Sequence, residues 1–132
     1  MTIQEKLPEA ELDVMLSLWK DTQPVRTARI WEDLRQNHDW TLSTVKALLT
    51  RLADKGWVDV TREGRFTLYR AAVSEEEYRR RETGGLLRRY FDNSPKKLIA
   101  ALVQESELSG EDIAELEELI RKAREENGDP KL

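Results

Sequence analysis

A change of hydrophobic period at Gly56 constrains this chain more than any other feature. Upstream of it, in TLSTVKALLTRLADKG, Val45, Leu48, Leu49 and Leu52 recur at i, i+3, i+4 and i+7, one buried face of a helix. Thr41 supplies a hydroxyl that can cap the start, and Gly56 is the residue type that ends a helix in the left-handed conformation. Downstream the period is two. Val58 and Val60 alternate with polar residues, Glu63-Gly64 reads as a two-residue turn, and Phe66 and Leu68 alternate on the return. The spacing predicts a helix over 42–55 and a hairpin over 58–70. On its outer side the helix offers Ser43, Thr44, Lys46, Ala47, Thr50 and Arg51, and the hairpin carries Arg62, Arg65 and Arg70. A partly basic helix followed at once by a basic hairpin is the plan of a winged helix-turn-helix. The helix of such a module fits a major groove of DNA, and its hairpin reaches the adjacent backbone.

The net charge of −4 runs against DNA binding until it is divided along the chain. Residues 1–72 hold 11 acidic and 11 basic side chains, residues 73–97 hold 5 and 7, and residues 98–132 hold 10 and 4. The acidity thus lies at the C-terminal end. Residues 41–70 carry six cations (Lys46, Arg51, Lys55, Arg62, Arg65, Arg70) against Asp54, Asp59 and Glu63. A local basic surface suffices for phosphate contact on an acidic protein. Taken alone, such charges would be ordinary solvated ones; helix and hairpin together give them a purpose.

Before this stretch, Pro8 suits a helix start, and Leu12, Met15, Leu16 and Trp19 mark an apolar stripe. A loop over 21–24 leads to a second helix over 27–36, with Ile30, Trp31 and Leu34 inward. The four tryptophans, Trp19, Trp31, Trp40 and Trp57, adjoin apolar periodic positions and read as core or near-core packing. After the hairpin, Ser74 to Glu77 forms a capping box for a helix to about Phe91, in which Gly84-Gly85 marks a bend. Ser94-Pro95 opens a helix bearing Leu98, Ile99, Leu102 and Val103, and Ser109 with Asp112 opens one bearing Ile113, Leu116, Leu119 and Ile120. So short a chain offers these stripes little to pack on, which points to a second copy as their partner. The expected plan is mostly α with a small β-hairpin: a winged-helix domain over 1–73 and a helical dimerisation region over 74–132. Residues 127–132 are expected to fray.

The residues of chemistry are scarce. Cysteine is absent, which excludes thiolate metal sites and disulfides, and His38 is the lone histidine, without convergent partners. The glutamates at 75–77 and 117–118 read as solvated helix faces and first-turn charges. The arginines at 79–81 divide evenly between a solvated face and contact with flanking DNA. No glycine-rich phosphate loop follows a strand. The expectation is a protein that is not an enzyme, holds no cofactor or metal, and is cytoplasmic, with no membrane-inserted or signal segment.

AELDVMLSLW in the first helix, STVKALLTRLADKGWV through the third and SGEDIAELEELI in the last, in this order, resemble the penicillinase repressor (BlaI/MecI) family of winged-helix regulators. The resemblance spans nearly the whole chain. It implies a homodimer whose winged helices bind a palindromic operator in double-stranded DNA. It also implies release when a membrane sensor-protease system signals cleavage of the dimerisation region, as in antibiotic resistance. The family's base- and phosphate-contacting positions fall on Ser43, Thr44, Lys46, Ala47 and Arg51. Ser43 and Ala47 are small where relatives carry longer polar groups, which implies an operator sequence of its own. The family's cleaved Asn-Phe bond falls on Ala101-Leu102, so altered protease preference and release by another route both stand. Copper-responsive relatives use a cysteine pair that this chain lacks.

Two alternatives come from other classes. One is a winged-helix module used only for protein contact, disfavoured because such a face would expose apolar anchors where this one carries cations. The other is a winged-helix regulator that senses a small molecule, which requires a cavity.

Overall fold

The computed structural model describes residues 6–128. Its elements are α1 (Glu9–Trp19), β1 (Val25–Arg26), α2 (Thr27–Leu34), α3 (Leu42–Asp54), β2 (Val58–Glu63), β3 (Phe66–Ala71), α4 (Glu75–Tyr90), α5 (Pro95–Glu105) and α6 (Gly110–Glu126). They form two compact units, Met1–Thr83 and Gly84–Leu132.

The first unit closes on α3. Val45, Leu48, Leu49 and Leu52 are buried, as their spacing demands, and each contributes about 1.5–3 kcal/mol by leaving water. Thr41 accepts a hydrogen bond from the Thr44 amide at 3.2 Å, and Gly56 adopts φ 84°, open to glycine without penalty. Around α3 pack Ile30 and Leu34 of α2, Trp57, Val58 and Tyr69. Trp19 and Trp31, half-buried, donate their indole N–H to the carbonyls of Val73 and Trp40 at 2.8 and 3.0 Å.

The stripe on α1 is rotated by one residue from the expected one. Leu16 is 44% exposed, and the buried set is Glu11, Val14, Met15, Ser17 and Leu18, all but Ser17 again at i, i+3, i+4 and i+7. A carboxylate can occupy the first position because the Lys55 ammonium lies 2.7 Å from its Oε1. Hydrophobic spacing alone does not admit a glutamate and so favours the neighbouring register. α2 ends at Leu34, two residues before the expected boundary.

The sheet has three strands in the order β1-β3-β2, all antiparallel. β1 is two residues long, too short for any alternation to show. The turn of the hairpin is Gly64-Arg65, since Glu63 pairs with Phe66, and the positive φ of 65° sits at Gly64. That shift moves each cross-strand partner by two residues and leaves the faces unchanged. Val58 and Val60 pair with Ala71 and Tyr69, whereas Phe66 and Leu68 lie on the opposite face. Of these Val58 and Tyr69 are buried, while Val60 and Phe66 are exposed.

The first unit runs beyond the expected boundary at residue 73 because Tyr78, in the first turn of α4, completes its core. The Tyr78 ring sits 5.7 Å from Trp19 and 5.4 Å, edge-on, from Trp57. Ser74 caps α4 by accepting from the Glu77 amide at 3.1 Å. The helix continues without a break through Gly84-Gly85, where a bend was expected.

In the second unit, Asp92 and Asn93 take left-handed φ values of 51° and 60°, residue types that tolerate them, and turn the chain into α5. Ser94 caps α5, and Ser109 and Asp112 form a reciprocal capping box on α6. Neither helix buries a residue. Residues 129–132, the greater part of the expected frayed tail, lie outside the described residues.

Candidate nucleic-acid interface

One face of α3 is spent on the core, so geometry gives the other to solvent. Ser43, Thr44, Lys46, Ala47, Thr50 and Arg51 are all exposed there. Two hydroxyls are engaged within the element: Thr44 Oγ1 lies 3.2 Å from Thr41 Oγ1, and Thr50 donates to the Lys46 carbonyl at 2.9 Å. In the hairpin, Arg62, Arg65 and Arg70 are exposed as well.

Charge pairing sorts the cations. Among the described residues, Arg26, Lys46, Arg51, Arg62, Arg65 and Arg70 have no carboxylate partner. Lys55, counted with the basic surface from sequence, instead neutralises buried Glu11. Arg79, Arg80 and Arg81 pair with Glu75, Glu76 and Glu77 at i, i+4 spacing, which gives the solvated-face reading a partner for each charge. Lys20 and Arg29 reach Asp33 and Asp21 at 2.9 and 3.1 Å. Burial raises the Asp33 pKa, but hydrogen bonds from Lys20 and Ser17 and the charges of Lys20 and Arg29 outweigh it and hold the carboxyl below its usual range.

A cleft of about 290 Å³ opens between the start of α2, the first turns of α3 and the turn end of the hairpin. Lys46 and Arg65, expected as DNA contacts, line it together with Arg26 and Phe66, which the sequence reading did not single out for this role. The guanidinium of Arg26 sits 4.6 Å from the centre of the Phe66 ring, and that of Arg65 sits 5.6 Å from it. The only signal that could have found Arg26 was its place just before a helix, which any solvated arginine could share.

His38 stacks on Trp40 with centroids 3.9 Å apart, and its Nε2 lies 3.3 Å from Asp13. Among the described residues no three His, Cys, Asp or Glu side chains gather as a metal site would require. No helix there is long and apolar enough to cross a membrane.

The residues expected at the dimer interface gather on one groove of the second unit, except that Leu98 and Ile113 lie beside it. Ile99, Leu102, Val103, Leu116 and Ile120 line a groove of about 630 Å³ between α5 and α6, and they and Ile113 are exposed. Leu98 is half-buried. At the Ala101-Leu102 bond, Ala101 is half-buried and Leu102 half-exposed, both within the continuous helix α5.

Comparison with known proteins follows the same plan. The chain is 27% identical over 115 residues to the penicillinase repressor of Bacillus licheniformis, covering 87% of this chain and 89% of that one. It is 24% identical over 117 residues to the methicillin resistance regulatory protein MecI of Mammaliicoccus sciuri, covering 89% and 94%. The solution structure of monomeric B. licheniformis BlaI in complex with the blaP half-operator is similar with a TM-score of 0.50 at 29% identity. It covers 59% of this chain and 94% of that one. The model of the penicillinase repressor family matches residues 7–122. The chain therefore belongs to the penicillinase repressor family, whose members are transcriptional regulators and not enzymes.

Proposed function

We propose that this chain is a cytoplasmic, homodimeric transcriptional repressor that binds a palindromic operator. The observation that carries the reading is the set of unpartnered cations on α3 and the hairpin, Lys46, Arg51, Arg62, Arg65 and Arg70. Free cations at the surface have counterions to release on meeting phosphates, and α3 has the shape to enter a major groove. Ser43, Thr44, Ala47 and Thr50 face the base edges in this reading, and the hairpin arginines take backbone phosphates. A similar protein in complex with a half-operator supports the reading that this chain binds DNA. Selection of duplexes from a randomised pool tests it. An enriched palindrome with half-sites about 34 Å apart is expected, and no enrichment, with no loss on changing Lys46 and Arg51, rejects it.

The dimer in this proposal forms through α5 and α6. An uncovered apolar groove in a chain of this size is what a second copy would fill. Residues 1–83 then act as the DNA-binding domain and residues 84–132 as the dimerisation region.

Release is proposed through the same groove. Cutting Ala101-Leu102 would destroy the stripe on α5 and with it the intramolecular second half-site contact. A bond inside a helix is cut only when the helix opens locally, and α5, with no buried residue in the single chain, opens readily. The test follows repressor mass after induction in the native host: a fragment ending at Ala101 supports a sensor-protease of altered preference, and derepression with an intact chain rejects cleavage here.

A further inference from the structure

We propose that the cleft at the turn end of the hairpin seats one phosphate of the operator backbone, gripped by Arg26 together with Lys46 and Arg65 and positioned by Phe66. The inference rests on the DNA-binding reading above and adds to it a contact from β1. Its origin is the strand register. Arg26 pairs with Leu68, so it lies on the same sheet face as Phe66, two residues along β3. Phe66, exposed and useless to the core, serves instead as a platform under Arg26 at 4.6 Å, with Arg65 nearby at 5.6 Å. An aromatic face attracts guanidinium groups without neutralising them. Two arginines and Lys46 are thereby held around one cleft with no carboxylate partner among the described residues. Cations so gathered repel one another, and an anion in the cleft relieves that repulsion.

The rest of the lining suits a phosphate oxygen. Thr27 and Thr67 add hydroxyls. Thr27 also stands at the start of α2, whose cap residue is Arg26 itself and makes no side-chain cap. α3 through α6, by contrast, begin with a hydroxyl cap. A phosphodiester, with one charge and two free oxygens, fits an opening of about 290 Å³ that is lined by recognition helix and hairpin together. The contact fixes register on the duplex and carries no sequence information of its own.

The experiment measures duplex affinity of the full chain over a range of salt concentrations, with Arg26→Gln, Arg26→Lys and Phe66→Leu. Arg26→Gln is expected to lower the slope of log affinity against log salt by about one and to weaken matched and mismatched duplexes alike. Arg26→Lys keeps the slope. Phe66→Leu keeps it too but weakens binding, because the charges remain and only their placement is lost. A scan with single neutral methylphosphonate linkages then locates the phosphate. At one linkage the loss is expected to be clearly smaller for Arg26→Gln than for wild type, because only Lys46 and Arg65 remain to be lost there. A wild-type slope in Arg26→Gln, or equal losses for both proteins at every linkage, overturns the proposal. If wild-type chain shows no salt-dependent duplex binding, the underlying DNA reading falls instead.

Discussion

Glu11 is the residue at which packing and charge collide. It is 4% exposed and depends on Lys55, whose side chain is one-third exposed. Lys55→Ala leaves a buried carboxylate without its counter-charge and is expected to cost about 2 kcal/mol, below the full penalty of a wholly buried pair because solvent reaches the lysine end. Urea unfolding measures it. Tyr78 is the converse case. Burial is the chief cause that raises its pKa, and its hydroxyl points toward the Leu7 backbone without a hydrogen bond of ordinary geometry. Tyr78→Phe, which keeps the ring against Trp19 and Trp57, is expected to leave the melting temperature unchanged or raise it. Asp33 gives a pH dependence. Its folded pKa lies below its unfolded one, so its contribution is complete above the usual aspartate value of ~3.9 and is lost as the pH falls through the folded value. Asp33→Asn is therefore expected to be the less stable protein at pH 7, with the difference closing in acid.

At the scale of the element, α3 carries two duties on two faces, and substitutions separate them. Thr41→Ala removes the cap accepting from the Thr44 amide and is expected to cost about 1 kcal/mol of stability. Arg51→Ala touches no core residue and is expected to leave stability unchanged while costing about 1–3 kcal/mol of affinity at a matched operator. Fluorescence anisotropy beside thermal melts reads both. The two-sided character of α3 was fully legible, because four apolar residues at helical spacing admit only one inward face. The hairpin was legible in existence and not in register. Placing the turn at Glu63-Gly64 instead of Gly64-Arg65 shifts each cross-strand partner by two residues and leaves every side chain on its own face, so the difference is one of register: Val60 meets Tyr69 rather than Thr67. The Phe66 platform was hidden because it depends on β1 joining the sheet, which brings Arg26 to the same face.

For the whole molecule, the proposed dimer predicts a concentration-dependent assembly. Leu116→Glu places a charge in the α5–α6 groove and is expected to give a monomer at micromolar concentration by sedimentation. Affinity for a palindrome should fall at least a hundredfold, while that for a half-site stays the same. The charged variant sedimenting as wild type would remove the groove from the interface. A chain shortened to residues 1–83 is expected to fold and bind one half-site weakly; one shortened to residue 73 loses Tyr78 from its core and should melt lower.

Three levels of this protein were set by its sequence: the helix–hairpin order, the helix caps at Thr41, Ser74, Ser94 and Ser109, and the family. All are local patterns or ordered strings of them, and local pattern is what backbone hydrogen bonding and amphipathic spacing write directly into a chain. Only the tertiary structure decided which α1 face turned inward, that β1 joined the sheet, and which cations remained free. Each of these depends on a partner distant in sequence, Lys55 for Glu11, Tyr69 for Val25 and Phe66 for Arg26, and such pairings exist only once the chain has closed on itself.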